Sequence, residues 1–262
     1  MPASQPVRGC NTATPLNLTY RVGRIAPYLH GRWLDYGCAE GGYAEALLNN
    51  GASSVIGVDV EEERINEAIS RCIPNATFQA YNGARLEFPD DSFDGAFVNE
   101  VLEHVADERT SLLEIFRVLR PGGHLILISP NRWFPIEGHG ATIMGVELPF
   151  PAPLLPWLPE RLTRNWLHAR NYWPCQLVQH VRSTGFAVQE TGFIWPVFDQ
   201  YPWLPSPVIS RYRRWMEKLD DIPGIQRFGL STLVVGIKPP KPATSLEVSP
   251  GEAGAAKVRS GG

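Results

Sequence analysis

The first half of the chain alternates between two hydrophobic patterns. Short runs of β-branched and other apolar residues are followed by longer segments in which apolar residues recur every three or four positions. This alternation is typical of strand–helix–strand units and predicts an α/β fold with a mostly parallel sheet. The predicted strands are Trp33–Gly37, Ser54–Val60, Thr77–Ala80, Phe93–Asn99 and His124–Ile128, and the predicted helices are Glu40–Asn50, Glu61–Cys72 and Asp107–Leu119.

The second half of the chain has a different composition, because seven of the eight tryptophans follow Ser129. Residues 131–172 have no clear strand pattern and are predicted to be an insertion that forms a functional lid. Two further strands, two helices and a second insertion complete a single domain over residues 1–238, and the Pro-, Ala-, Gly- and Ser-rich residues 239–262 are expected to be a disordered tail. The predicted elements are helices Cys175–Thr184 and Ile209–Leu219, strands Ala187–Ile194 and Ser231–Ile237, and the insertion 197–229.

Composition argues against several classes of protein. The 24 basic residues against 27 acidic ones give a net charge of −3, which does not favour a general nucleic-acid binder. The four cysteines form no C-x-x-C pair, so no zinc ribbon or thiol redox motif is predicted. The beginning of the sequence has no secretory signal pattern, and no apolar run is long enough to span a bilayer. We therefore expect reduced thiols and a cytoplasmic protein.

A turn rich in small residues follows the first predicted strand. In Leu34-Asp35-Tyr36-Gly37-Cys38-Ala39-Glu40-Gly41-Gly42, small side chains let backbone N–H groups approach a ligand at the beginning of a helix. Tight strand–helix packing is the alternative explanation. The spacing Gly37-x-Ala39-x-Gly41 differs from the G-x-G-x-x-G pattern of nicotinamide-dependent oxidoreductases.

Asp59 ends the second predicted strand, 22 residues after Gly37. In doubly wound folds, a carboxylate at this place accepts hydrogen bonds from ribose hydroxyls. The alternatives are a solvated aspartate or a cap for the helix that begins at Glu61.

Residues 32–130 resemble the class I S-adenosylmethionine-dependent methyltransferases, and in particular the methyltransferase type 11 group that includes quinone-biosynthesis enzymes. The resemblance is carried by four segments in the family's order, which are LDYGCAEGGYA, VIGVDV, YNGARLEFPDDSFDGAFVNEVLEHV and RVLRPGGHLILISPNR. It implies a Rossmann-like, doubly wound, seven-stranded and mostly parallel sheet with helices on both faces, a lid after the fifth strand, and an antiparallel last strand.

The resemblance also implies a cofactor, S-adenosylmethionine, and the residues around it. Gly37, Ala39 and Gly41 would line its methionine part, Asp59 would hold the ribose, and Asn82 and Gly83 would contact the adenine. Asp35, Val60, Asn99 and Glu100 complete the predicted cofactor site. The family more often has Gly at position 39 and Asp at position 82, and an Asn can still accept through its carbonyl oxygen.

Candidate catalytic residues follow the fourth and fifth strands. His104 has an unperturbed pKa near neutrality and is a candidate base for the acceptor, with packing of its turn as the alternative. Glu137 and His139 are a second candidate pair, with loop-structuring hydrogen bonds as their alternative. Asn131, Arg132 and Trp133 are predicted to contact the acceptor. No metal is predicted.

Two segments interleave basic and aromatic residues, namely 149–170 and Ile209–Leu219. Three explanations remain open, which are a lid with arginines on its outer face, peripheral contact with lipid, and a protein partner.

The sequence therefore predicts a methyltransferase that acts on a small-molecule or lipid-like acceptor at oxygen, nitrogen or carbon. Two alternatives are a non-catalytic binding module that keeps the fold and, less favoured, a nicotinamide-dependent oxidoreductase. The sequence indicates neither the acceptor nor the oligomeric state.

Overall fold

A computed structural model describes residues 15–148, 152–198, 205–220, 222 and 224–240 of the 262-residue chain. The predicted tail lies outside these residues except for Pro239 and Pro240. No helix in the described ranges is long and apolar enough to cross a membrane.

A seven-stranded sheet forms the centre of the molecule, in the order β10-β11-β5-β4-β1-β2-β3. All neighbouring pairs are parallel except the two made by β11, which runs antiparallel to both β5 and β10. This order confirms the predicted doubly wound fold and its antiparallel last strand. The strands of the sheet are β1 Arg32–Tyr36, β2 Ser54–Asp59, β3 Ala76–Ala80, β4 Phe93–Asn99, β5 Leu119–Pro130, β10 Ala187–Ile194 and β11 Ser231–Ile237.

Helices and single turns of 3-10 helix connect the strands. The helices are α1 Pro15–Ile25, α2 Gly42–Asn49, α3 Glu62–Ser70, α4 Glu108–Val118, α5 Glu160–Thr163, α6 Pro174–Ser183 and α7 Ser206–Asp220, and the 3-10 turns are Ala26–Tyr28, Leu155–Trp157 and Gln226–Phe228. Each predicted helix lies within about two residues of an observed one. Asp107, predicted as the first residue of α4, instead caps it by accepting hydrogen bonds from the N–H groups of Arg109 and Thr110.

Two hydrophobic clusters fill the two faces of the sheet, because successive side chains of a strand point to opposite faces. Trp33 packs with residues of α1 and α2 on one face, and its neighbour Leu34 packs with residues of α4 and α6 on the other. The sheet is thus covered on both sides, which explains why its central strands are almost uniformly apolar.

The lid region contains more regular structure than its sequence predicted. Strand β6 (Ile136–Glu137) pairs antiparallel with β9 (Ala152–Pro153), and β7 (Ala141–Ile143) pairs with β8 (Val146–Leu148). These strands of two or three residues are too short to produce a recognisable alternation of apolar and polar positions. Two isolated β-bridges connect the beginning of this region with its end, one from Asn131 to Tyr172 and one from Ala141 to Leu167.

The predicted beginning of the fifth strand is wrong. Pro121-Gly122-Gly123, expected to separate helix and strand, lies inside β5, which begins at Leu119. Gly123 accepts a hydrogen bond from the N–H of Lys238 and Gly122 donates one to its carbonyl, so both glycines pair with the residue after β11. This pairing with Lys238 extends β5 beyond the apolar run His124–Ile128.

Candidate active site

Parallel strands bring the predicted cofactor residues to one edge of the sheet. Asp35 and Gly37 lie at the end of β1, Asp59 ends β2, and Asn99 and Glu100 lie at the end of β4. Because β1 is flanked by β2 and β4, the three carboxyl ends are neighbours. The structure thus brings these residues together where doubly wound folds bind their ligands.

The turn after β1 is held close to β2. The N–H groups of Gly37 and Cys38 both donate to the carbonyl of Val58, at 2.8 and 3.0 Å. Gly37 has φ +77°, and a Cβ there would lie 2.4 Å from Val101 Cγ2. Ala39 and Gly41 also have positive φ, of 47° and 77°. The glycine at position 37 is therefore required by the fold itself.

The Asp59 carboxylate organises the loop that it faces. Its Oδ2 accepts the N–H of Ala39 at 2.9 Å, and its Oδ1 accepts the N–H of Glu61 at 3.1 Å. Glu61 is the N-cap of α3, so the helix-capping alternative describes part of what this side chain does. Each carboxylate oxygen has a second lone pair that can accept a hydroxyl.

Asp35 supplies a test of whether the site fits a positively charged cofactor. Its side chain is 3% exposed, and its Oδ2 has no hydrogen-bond partner among the described residues. Burial, and secondarily the charge of Asp59, raise the pKa of Asp35 to about 7. A buried carboxyl without a partner is costly, and a cation beside it would restore its ionised form. The residues therefore fit S-adenosylmethionine, which carries a sulfonium and an ammonium group.

The predicted adenine residues form an exposed loop after β3. Asn82 Oδ1 accepts the N–H groups of Ala84 and Arg85, at 3.0 and 3.4 Å. Gly83 has φ +77° and faces Val60, whose side chain is 58% exposed. The Asn82 carbonyl oxygen already accepts these two hydrogen bonds. The amide NH2 group of Asn82 is therefore the group available to contact an adenine base.

A buried polar network that the sequence did not indicate lies beside Asn99 and Glu100. Arg21 of α1 donates from Nη1 to Asn99 Oδ1 at 2.6 Å and to Glu100 Oε1 at 2.9 Å. Ser231, the first residue of β11, donates to the same Glu100 oxygen at 2.5 Å. Glu100 has φ +55°, a conformation that side chains rarely adopt and that often occurs at functional sites.

A second carboxyl, Glu103, lies beside Glu100 and is 2% exposed. Burial opposes ionisation of both groups, but at Glu100 the charges of Arg21 and His139 and the hydrogen bond from Ser231 together outweigh burial and lower its pKa. Burial and the charge of Glu100 raise the pKa of Glu103 well above its usual range. The pKa values of the two carboxyls are therefore shifted in opposite directions, and Glu103 accepts a hydrogen bond from Ser129 Oγ at 3.3 Å.

The lid places His139 between carboxyl groups. Its Nδ1 lies 3.6 Å from Glu137 Oε1 and its Nε2 lies 3.8 Å from Glu103 Oε1. Glu137 is fully buried and is fixed in place, because it accepts the backbone N–H of His139 at 2.8 Å and the amide of Asn171 at 2.7 Å. Burial opposes protonation of His139, but Glu137 and Glu100 outweigh it and raise the pKa of this histidine.

His104 packs edge-on against His139, with ring centroids 5.3 Å apart, at the exposed rim of the same cluster. The protein atoms around its ring and the charge of His139 lower the pKa of His104 to about 4. The two histidines are thus brought together but differ in basicity, and His139 is the stronger base.

The same cluster contains a set of metal-ligating groups. Glu103, His104 and His139 each present one donor atom, and these atoms lie within 4.8 Å of one another. Two imidazoles and a carboxylate can coordinate a divalent transition metal. The sequence-based expectation of no metal remains a prediction.

The three predicted acceptor residues have different surroundings. Asn131 is buried and donates to the carbonyls of residues 227 and 229, at 2.6 and 2.7 Å. Arg132 donates to the Leu158 carbonyl at 2.6 Å and stacks on Trp173, with 5.3 Å from Cζ to the ring centroid. Both side chains therefore hold the lid together, whereas Trp133 is 37% exposed and has ring surface left for a ligand.

Comparisons with known proteins identify the family to which this fold belongs. A family model described as a methyltransferase domain matches residues 34–127. A Mycolicibacterium smegmatis protein named "probable S-adenosylmethionine-dependent methyltransferase" is 30% identical over 200 residues, covering 73% of this chain and 69% of the relative. A ubiquinone biosynthesis O-methyltransferase of Parvibaculum lavamentivorans is 30% identical over 145 residues, or 54% of each chain.

The crystal structure of an S-adenosylmethionine-dependent methyltransferase from Mesorhizobium loti shares the fold, with a TM-score of 0.58 and 19% identity over 84% of this chain and 97% of that one. The fold and the sheet-edge site define a class I methyltransferase. The chain belongs to the S-adenosylmethionine-dependent methyltransferases, and S-adenosylmethionine is its cofactor.

Proposed function

We propose that this enzyme methylates an oxygen atom of a small, lipid-like acceptor, with His139 as the base. The observation that carries the proposal is the position of His139 between Glu137 and Glu103 at the mouth of the cofactor edge. The name of the P. lavamentivorans relative, an O-methyltransferase of ubiquinone biosynthesis, supports an oxygen acceptor of this kind.

We propose the following cofactor contacts for the chain's own residues. Asp59 accepts hydrogen bonds from the ribose hydroxyls, and the turn at Gly37–Gly41 together with Asp35 surrounds the methionine part. Asn82, Gly83 and Val60 contact the adenine, while Asn99 and Glu100 close the site from β4. When bound, S-adenosylmethionine supplies an activated methyl group on sulfur, so the protein mainly has to align the acceptor with it.

The proton of the acceptor hydroxyl is assigned to His139. Its Nδ1 faces Glu137, which favours the tautomer with hydrogen on Nδ1 and leaves the lone pair of Nε2 to accept a proton. The neighbouring charges of Glu137 and Glu100 then stabilise the imidazolium. His104, with a pKa of about 4, is a poor base near neutral pH and is assigned to packing and orientation of the His139 ring.

The proposed location is the cytoplasm, with peripheral contact to a membrane where a lipid-like acceptor would reside. Free thiols at Cys38, Cys72 and Cys175 support a reducing compartment. The membrane contact is supported by exposed aromatic side chains near the lid, such as Trp157, which is 47% exposed.

Two measurements test the proposal in sequence. Calorimetric titration with S-adenosylmethionine should give binding that is lost in Asp59→Ala, whereas absent binding by the folded protein would favour the non-catalytic module. Transfer of a labelled methyl group to a catechol with an isoprenoid side chain should then fall about a hundredfold or more in His139→Asn. Full activity of that variant would exclude His139 as the base.

A further inference from the structure

Helix α7 presents one face to solvent that combines basic and apolar side chains. Val208, Arg211, Arg214, Trp215 and Lys218 are all exposed and lie within about a third of the helix circumference at 3.6 residues per turn. The opposite side, with Met216, is buried against the domain. Trp215 is 58% exposed, which is unusual for the largest apolar side chain.

Further exposed apolar side chains follow α7 in the chain. After α7, backbone turns lead through Ile225 to Phe228, both of them exposed. The Phe228 ring packs against Trp133, with 5.8 Å between centroids, and the Trp133 carbonyl accepts a hydrogen bond from Trp157 Nε1. We call the α7 side chains together with Ile225, Phe228, Trp133 and Trp157 the basic–aromatic face.

The charge on this face is opposite to that of the whole chain. The sequence of α7 has four basic residues against two acidic ones, whereas the chain has a net charge of −3. Arg211, Arg214 and Lys218 have no ion-pair partner among the residues that the structure describes. In the predicted lid, Arg161, Leu162 and Arg164 are also exposed, so basic and apolar side chains are adjacent there as well.

We propose that the basic–aromatic face docks on the surface of an anionic lipid bilayer. Tryptophan and short aliphatic side chains beside unpaired arginines and lysines match the boundary between headgroups and acyl chains. The occupant is anionic because the charged side chains that the structure describes on this face are all basic, and for the same reason two copies of the face would repel each other.

Docking would turn the acceptor entrance toward the lipid. Trp133 lies three residues after the carboxyl end of β5, so this part of the face lies near the edge of the sheet where the acceptor is proposed to bind. This consequence rests on the proposed function, whereas docking itself needs neither cofactor nor acceptor.

The experiment is sedimentation of the full chain with phosphatidylcholine vesicles, with and without phosphatidylglycerol, in the absence of cofactor. We expect binding only to the anionic vesicles, and weakening at high salt because screening shortens the range of the interaction. Arg214→Glu should weaken binding by about thirtyfold, since each basic residue near an anionic surface contributes about 1 kcal/mol and reversal adds a comparable repulsion.

Arg182→Glu is the matched control, because Arg182 is also exposed but lies at the end of α6, near the amino-terminal edge of the sheet. It should leave vesicle binding unchanged, and Trp215→Ala should weaken binding to the same vesicles several-fold. Absent binding, equal binding to neutral vesicles, equal effects of Arg214→Glu and Arg182→Glu, or self-association through this face would each overturn the proposal. Calorimetric titration of the same variants with S-adenosylmethionine reports separately on the methyltransferase site.

Discussion

Arg21 and Glu100 form a buried ion pair, with 2.9 Å between Nη1 and Oε1, that fastens helix α1 to the end of β4. The Arg21 side chain is 1% exposed and the Glu100 side chain 10% exposed, so little water can compensate either charge for the loss of the other. The first described helix is thereby linked to the cofactor edge of the sheet.

Replacing this arginine should be strongly destabilising. Arg21→Met leaves the buried Glu100 carboxylate uncompensated, and we expect the free energy of unfolding to fall by about 3–5 kcal/mol. Urea denaturation measures the change. Arg71→Met is the control, because the Arg71–Glu45 pair is short but solvent-exposed and should contribute about 1 kcal/mol or less. Similar losses in the two variants would contradict the burial argument.

Two glycines with the same backbone conformation should respond differently to alanine. Gly37 and Gly122 have φ of 77° and 82°, but only at Gly37 would a Cβ collide with another side chain, that of Val101. Gly122→Ala should lower the free energy of unfolding by about 1 kcal/mol from backbone strain, and Gly37→Ala by about 3 kcal/mol or more. Thermal or urea unfolding of both variants checks the difference, and equal effects would refute it.

Cofactor binding should release a proton through Asp35. With a pKa of about 7, this carboxyl is largely protonated in the free enzyme at pH 6, and a bound cation favours its ionised form. Affinity for S-adenosylmethionine should therefore rise between pH 6 and pH 7, by up to about tenfold per pH unit, and level off above.

Calorimetry at pH 6 in buffers of different ionisation enthalpy measures the released proton directly. The Asp35→Asn variant cannot ionise at this position and should lose this part of the pH dependence. A wild-type protein that binds without proton release would show that Asp35 does not face the cofactor's charge.

The pH profile of methyl transfer should depend on Glu137. If neutral His139 is the base, the rate rises with pH through the pKa of this histidine, which Glu137 raises. Glu137→Gln should move the rising limb to lower pH and reduce the plateau by about tenfold to a hundredfold, because the imidazolium loses its counter-charge.

Glu147→Gln provides the control for that experiment, since Glu147 belongs to the same lid but is exposed. Its profile should match that of the wild type. An unshifted profile in Glu137→Gln would indicate that another group accepts the proton.

The parallel strands of the sheet could be predicted from the sequence because each of them can be recognised from its own residues alone. Phe93–Asn99 was predicted with its observed bounds, since an apolar run between turn residues is enough to identify a buried strand. Asp59 and Gly37 were predicted to meet because strand ends in such a sheet share an edge.

The network around Glu103 was not predictable in the same way. Arg21 occupies the inward face of α1, where a charged residue interrupts the apolar pattern, and its partner Glu100 is 79 positions away. Glu103 stands between an apolar leucine and the candidate base His104 in the sequence, so only its burial and its neighbour Glu100 reveal that its pKa is raised. The roles assigned to individual site residues remain predictions.

The reversed direction of β11 also affects the order in which the site is completed. Because this strand runs against its neighbours, its first residue lies at the cofactor edge, where Ser231 meets Glu100 across 131 sequence positions. On a ribosome, the parallel strands and the lid are made well before this serine leaves the exit tunnel. The nascent chain thus carries its principal cofactor loop early, whereas its buried carboxyl pair gains the last hydroxyl donor only after the lid and the parallel strands have been made.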